Sequence, residues 1–121
     1  QGELLGVSSL KGGVFLTDDI QRLLGNEYQN WQVLTEYHFG GYAKTDDVLF
    51  DFIKTFKRQH GLLLDPVYTS KMAFAFYDLL QKDYFKKGSS VVLIHTGGLQ
   101  GWHGMIQKNR VDDTYVREVI E

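Results

Sequence analysis

Three short stretches of this chain set reactive and small side chains side by side. Residues 61–71, GLLLDPVYTSK, place an acid, a phenol, two hydroxyls and an amine (Asp65, Tyr68, Thr69, Ser70 and Lys71) just past three leucines. Residues 91–101, VVLIHTGGLQG, close an apolar run with His95, Thr96, Gly97 and Gly98. A third stretch, Tyr37-His38-Phe39-Gly40-Gly41-Tyr42, sets aromatic rings beside flexible backbone. In an open α/β sheet, ligands bind beyond the carboxyl ends of the strands, and each stretch reads as such an end. A phenol or imidazole there can move protons, glycines let backbone N–H groups approach an anion, and flat rings suit a planar aromatic cofactor.

Each stretch also has a plain structural explanation. Thr69 or Ser70 can be the N-cap of a helix, with Tyr68 a half-buried ring. Gly97-Gly98 can be a tight turn, since the run matches neither a phosphate-binding P-loop nor the G-x-G-x-x-G dinucleotide fingerprint. The aromatics near Gly40 can be core or lid packing. His60, His95 and His103 have no acidic or thiol neighbours at metal-ligand spacing, so no metal site is expected.

The elements that must position these residues follow from periodicity. Alternating or continuous apolar runs predict strands at 3–10, 31–39, 62–64 and 89–95. Thr17-Asp18-Asp19 supplies a cap and first-turn acids for a helix carrying Ile20, Leu23 and Leu24 on one face. Thr45-Asp46-Asp47 opens the clearest helix, because Leu49, Phe52, Ile53 and Phe56 fall at i, i+3, i+4 and i+7, and Gly61 closes it. A further helix is predicted over 71–85, and Val111, Val116 and Ile120 suggest a short one near the end. Strands alternating with helices predict a single α/β domain over 1–121 with a mostly parallel sheet.

The bulk properties narrow the partners. A chain of 121 residues with 43% hydrophobic side chains is long enough for one real core. Its net charge of −2, without a block of like charges, argues against a nucleic-acid partner. The chain has no cysteine, which removes disulfides and thiolate chemistry and fits a cytoplasmic setting. No apolar run approaches the roughly 20 residues needed to span a bilayer, so no membrane partner is expected. The chain lacks an initial Met and enters the apolar segment Leu4-Leu5-Gly6-Val7 almost at once, as expected of a polypeptide that continues upstream.

At its three reactive stretches the sequence resembles the C-terminal part of the 1-aminocyclopropane-1-carboxylate deaminase and D-cysteine desulfhydrase family. That family belongs to the tryptophan synthase β-type, fold type II, pyridoxal-phosphate enzymes. The family pattern D-P-V-Y-[ET]-G-K is met by Asp65-Pro66-Val67-Tyr68-Thr69-Ser70-Lys71, with serine in place of the glycine. A downstream H-[TL]-G-G is met by His95-Thr96-Gly97-Gly98, and an upstream tyrosine and glycine segment resembles residues 37–42. The resemblance covers about residues 3–104.

What the resemblance implies is specific. The fold would be a three-layer α/β sandwich with a mostly parallel sheet, the cofactor pyridoxal phosphate, the substrate a small amino acid and the assembly a homodimer. Tyr68 would lie at the catalytic face, where its phenol moves protons or attacks a substrate ring, and Tyr42 near substrate and cofactor. Thr69 would face the pyridine nitrogen, with His95, Thr96, Gly97 and Gly98 also beside the cofactor. A neutral hydroxyl at Thr69, where the deaminases carry a carboxylate, gives a weaker electron sink, which favours β-elimination of the D-cysteine desulfhydrase kind over ring opening. The family's Schiff-base lysine and phosphate cradle lie upstream of the matching region, so this chain alone is expected to be inactive. Lys71 matches a different family lysine and is expected to cap or pair locally. The competing expectation is a non-catalytic α/β domain that self-associates through an exposed sheet edge and apolar face.

Overall fold

The computed structural model describes residues 2–121. The chain opens with a β-α-β unit. Strand β1 (Leu4–Val7) is followed by helix α1 (Phe15–Leu24) and strand β2 (Trp31–Leu34). The two strands pair in parallel with Leu4 opposite Trp31 and Val7 opposite Leu34. Helix α1 begins at Phe15, ahead of the expected Thr17 cap, and no side chain caps it. Its predicted apolar face finds little to bury against, and Leu23 is 86% exposed.

Helix α2 (Asp47–His60) follows its sequence signals closely. The Asp46 carboxylate accepts the Leu49 N–H at 2.9 Å, and the N–H of Gly61 returns to Lys57 O at 2.8 Å. Lys57, Arg58 and His60 lie in its last turn, where cations suit the helix dipole. Leu49 and Ile53 are fully buried in the core with Val67, Trp102, Met105 and Val119. Helix α3 (Thr69–Gln81) starts two residues before the predicted helix and stops four residues short of its end. Helix α4 (Gly101–Gln107) delivers Trp102 and Met105 to the core. A last short helix α5 (Asp113–Tyr115) runs into a wider turn, Val116–Ile120, that seats Val119 under α2. No described helix is long and apolar enough to cross a membrane.

The α/β character expected from the sequence is present, but the sheet among the described residues has two strands. The stretches 62–64 and 89–95 run outside any ladder. The reason at 62–64 is visible in the hydrogen bonds. The carbonyl of Leu63 accepts from His95 Nε2 at 3.1 Å and that of Leu64 from Trp102 Nε1 at 3.0 Å, so side chains take the places a neighbouring strand would hold. The predicted strand at 31–39 ends at Leu34, where the chain turns toward the aromatic loop.

Asp46 is the sole side-chain cap of the helix that supplies Leu49 and Ile53, two of the six buried core residues. Replacing it, Asp46→Ala, is expected to lower unfolding stability by about 0.5–2 kcal/mol in urea denaturation. A loss indistinguishable from zero would show that α2 is held by packing alone.

Candidate active site

The site is built on the turn that leads into α3. Asp65 is completely buried, and its carboxylate accepts three backbone N–H groups of the first turn: Oδ1 from Val67 at 2.8 Å and Tyr68 at 2.6 Å, Oδ2 from Thr69 at 2.7 Å. The Thr69 hydroxyl also donates to Oδ2 and accepts the N–H of Asp65 at 2.9 Å. The cap expected at Thr69 or Ser70 is therefore supplied from further upstream, by Asp65. An Asp-Pro start suits this, because a short carboxylate reaches the N–H groups two to four residues on. Burying the charge is tolerable because every acceptor direction used meets a donor at a helix N-terminus.

This cap fixes the direction of Tyr68, which leaves the turn outward and is 48% exposed. Its hydroxyl donates to the hydroxyl of Tyr42 at 3.0 Å, with the rings tilted by 57°. The hydrogen bond to Tyr42 holds the Tyr68 proton more firmly than in a free phenol, with desolvation adding to the effect. The pair stands at a cavity of about 410 Å³ whose wall also includes Gly98, Lys44, Lys108 and Arg110. Sequence reasoning brought Tyr42, Tyr68 and Gly98 to one place and missed the three cations, which belong to no motif.

The remaining predicted residues take different positions. Thr69 is buried, and its hydroxyl is engaged with Asp65 as described. His95 is half-buried: Nδ1 accepts from the N–H of Gly97 at 3.1 Å, which makes Nε2 the protonated nitrogen that donates to Leu63 O. Thr96 is exposed beside it. Gly97 and Gly98 both have φ of +89° but differ in surroundings. A Cβ at Gly97 would meet nothing within 4 Å, whereas at Gly98 it would stand 3.1 Å from Asp65 Cγ. The glycine turn thus packs directly on the buried carboxylate, joining the second stretch to the first.

Lys71 departs from expectation. It does not pair locally. Its buried ammonium donates to the carbonyls of His38 at 2.8 Å and Gly41 at 3.0 Å, more than thirty positions and thirty positions back along the chain. Burial pushes its pKa down to about 8, with the charge of Asp65 acting in the opposite sense. Ser70 Oγ is buried without a hydrogen-bond partner, at the position where the family pattern has glycine.

No family model matches the chain. Individual relatives do. A Pyrococcus abyssi protein provisionally named 1-aminocyclopropane-1-carboxylate deaminase is 46% identical over 66 residues, covering 54% of this chain and 19% of the relative. A Pyrococcus horikoshii protein of the same provisional name is 34% identical over 86 residues, covering 71% of this chain and 26% of the relative. The 1-aminocyclopropane-1-carboxylate deaminase of Cyberlindnera saturnus is 29% identical over 85 residues, covering 69% and 25%. The chain is related to the C-terminal part of the 1-aminocyclopropane-1-carboxylate deaminases. It spans 19–26% of the length of these relatives.

The contact between Gly98 and Asp65 is directly testable. Gly97→Ala and Gly98→Ala share the backbone strain of a positive φ, but only the second forces a Cβ against the carboxylate. Chemical denaturation is expected to show the larger loss for Gly98→Ala. Equal losses would mean that the turn and the carboxylate do not pack tightly.

Proposed function

We propose that these residues form the catalytic-face portion of a pyridoxal-phosphate-dependent enzyme acting on a small amino acid. β-Elimination of the D-cysteine desulfhydrase type is favoured over deamination of 1-aminocyclopropane-1-carboxylate. The observation that carries the reading is the Tyr42–Tyr68 pair, two phenols hydrogen-bonded at 3.0 Å and half open to a cavity. On this reading the two parallel strands and the helices around them are part of a larger fold type II sandwich, and the functional assembly is a homodimer.

The residues present fit one edge of such a cofactor. Open space lies against the backbone of Gly97, and Thr96 beside it is exposed, so both can face a bound group. Thr69 is buried with its hydroxyl engaged by Asp65, so it brings no carboxylate to a bound ring, which is the reason for preferring elimination. Lys71 is occupied by two carbonyls and is not a cofactor lysine on this reading. When bound, pyridoxal phosphate supplies the electron sink for bond breaking next to the amino group. The chain's own contribution is proton handling. Tyr68 donates to Tyr42, which leaves the Tyr42 hydroxyl hydrogen free to face the cavity, and the two phenols form a short relay. Because its proton is held firmly, Tyr68 serves as an acid at neutral pH rather than as a base.

A longer polypeptide joining this segment to the lysine-bearing upstream region is expected to convert D-cysteine and water to sulfide, ammonia and pyruvate. Tyr68→Phe in that polypeptide should lower kcat by about 10²–10⁴-fold while the cofactor absorbance is retained. Unchanged turnover would return Tyr68 to a packing role, and faster formation of 2-oxobutyrate from 1-aminocyclopropane-1-carboxylate would overturn the preference for elimination.

A second reading, a non-catalytic α/β domain that self-associates, is favoured by one feature. A groove of about 770 Å³ runs between β1, α3 and the extended stretch 91–94, with Leu5, Met72 and Phe76 in its wall, and Val92 at its side is 83% exposed. With β1 offering a free edge, a second copy of the chain would cover both. Light scattering of the purified chain should then give a dimer mass at micromolar concentration; a monomer mass removes this reading.

A further inference from the structure

The phenol pair depends on a loop whose own turn hydrogen bonds, Gly41 N–H to His38 O at 3.1 Å and Lys44 N–H to Gly41 O at 3.0 Å, are supplemented from α3. Residues 38–43 carry an unusual concentration of left-handed backbone: φ is +54° at Phe39, +100° at Gly40, +134° at Gly41 and +55° at Ala43. For Phe39 and Ala43 that conformation is strained and persists only where the surroundings impose it. Tyr42 itself is 56% exposed, and its one recorded side-chain hydrogen bond is the one to Tyr68. The Tyr68 ring, its centroid 6.0 Å away, is the aromatic neighbour of the Tyr42 ring.

The restraint comes from one face of α3. Lys71, Phe74 and Asp78 fall at i, i+3 and i+7, a single helical stripe. Asp78 accepts the Tyr37 hydroxyl at 2.6 Å, at the start of the loop. Phe74 packs edge-on against Phe39 with ring centroids 4.8 Å apart. Lys71 bonds the carbonyls of His38 and Gly41, which bracket the bend immediately before Tyr42. Asp78 and Phe74 anchor the entry to the loop. Only Lys71 grips it on both sides of the bend.

We propose that Lys71 is a positioning residue for the candidate site: its buried ammonium clamps the 38–41 bend and thereby sets the Tyr42 phenol within hydrogen-bond reach of Tyr68. The inference rests on the reading of the two phenols as the proton-handling pair. A buried lysine is an expensive way to hold a loop, because desolvation disfavours its charge, and that is what depresses its pKa toward 8. A compact ammonium with three donors nevertheless suits this geometry, since it adds a charged second donor to the carbonyls of His38 and Gly41, each of which also accepts one backbone N–H of the bend. The same short helical stretch thus fixes both phenols, Tyr68 through the Asp65 cap and Tyr42 through Lys71.

The test uses the 121-residue chain with labelled tyrosine, studied by NMR at about pH 6.5–7, below the Lys71 pKa of about 8, without substrate or cofactor. Its result is therefore independent of whether the proposed reaction is correct. The Tyr42 and Tyr68 rings, with centroids 6.0 Å apart, are expected to give nuclear Overhauser contacts in the wild-type chain. Lys71→Met is expected to lose them. Leu79→Ala, which removes a buried side chain elsewhere on α3, is expected to keep them. Wild-type contacts in Lys71→Met, or their equal loss in Leu79→Ala, would overturn the proposal. Should Lys71→Met fail to fold, nuclear Overhauser contacts in the wild-type chain decide: contacts from the Lys71 Hε protons to the Gly41 Hα protons support the clamp, and their absence overturns it.

Discussion

The carboxylate of Asp65 is buried, charged and surrounded by donors, and the geometry of the candidate site follows from it. Three consecutive N–H groups and one hydroxyl converge on its two oxygens. Hydrogen bonds to an ionised acceptor are stronger than neutral ones, and at a helix N-terminus the backbone dipoles add to them. The arrangement fixes the first turn of α3 and with it the direction in which Tyr68 leaves the backbone. It also explains why the glycine turn is where it is. Gly98 approaches the carboxylate so closely that a Cβ would stand 3.1 Å from its Cγ, so the stretch 91–101 can seat against the stretch 61–71 only through a glycine.

Around this point the molecule divides into a well-packed and an open part. Helices α2, α3 and α4 and the C-terminal turn share the Trp102-centred core, and α3 holds the aromatic loop at residues 37–43 through Lys71, Phe74 and Asp78. On the far side, α1 buries none of its residues, and the stretch 91–94 exposes Val92 and Ile94. The phenol pair belongs to the first part. Its members sit on backbone anchored by buried groups while their rings remain accessible, a combination suited to moving a proton to a bound molecule.

How far the sequence could be read depended on how local each determinant was. Helix α2 was legible from its cap to Gly61, because the cap, the 3.6-residue periodicity and the stop all lie within the helix itself. Helix α1 was found with the wrong start, since no side chain caps it. The apolar runs at 62–64 and 89–95 read as strands, but a ladder needs a neighbour, and at Leu63 and Leu64 the carbonyls are taken by His95 and Trp102 from thirty or more positions away. Lys71 was misjudged for the same reason: a lysine in a helix's first turn has obvious local uses, and its real partners are two carbonyls that only the bend at Gly40 and Gly41 turns toward it.

The sequence by itself determined the α/β character, the α2 helix and the residue types that gather at the site, because periodicity, capping and the D-P-V-Y and H-T-G-G motifs are all short-range features of the chain. Tertiary structure decided which of those residues meet. It placed Tyr42 against Tyr68, Gly98 against Asp65 and Lys71 beneath the aromatic loop, and it turned Thr69 inward to the carboxylate. These contacts join residues far apart in the chain or depend on which of several polar partners wins a buried group. Their energies come from burial and complete hydrogen bonding in the assembled core, which no local pattern encodes.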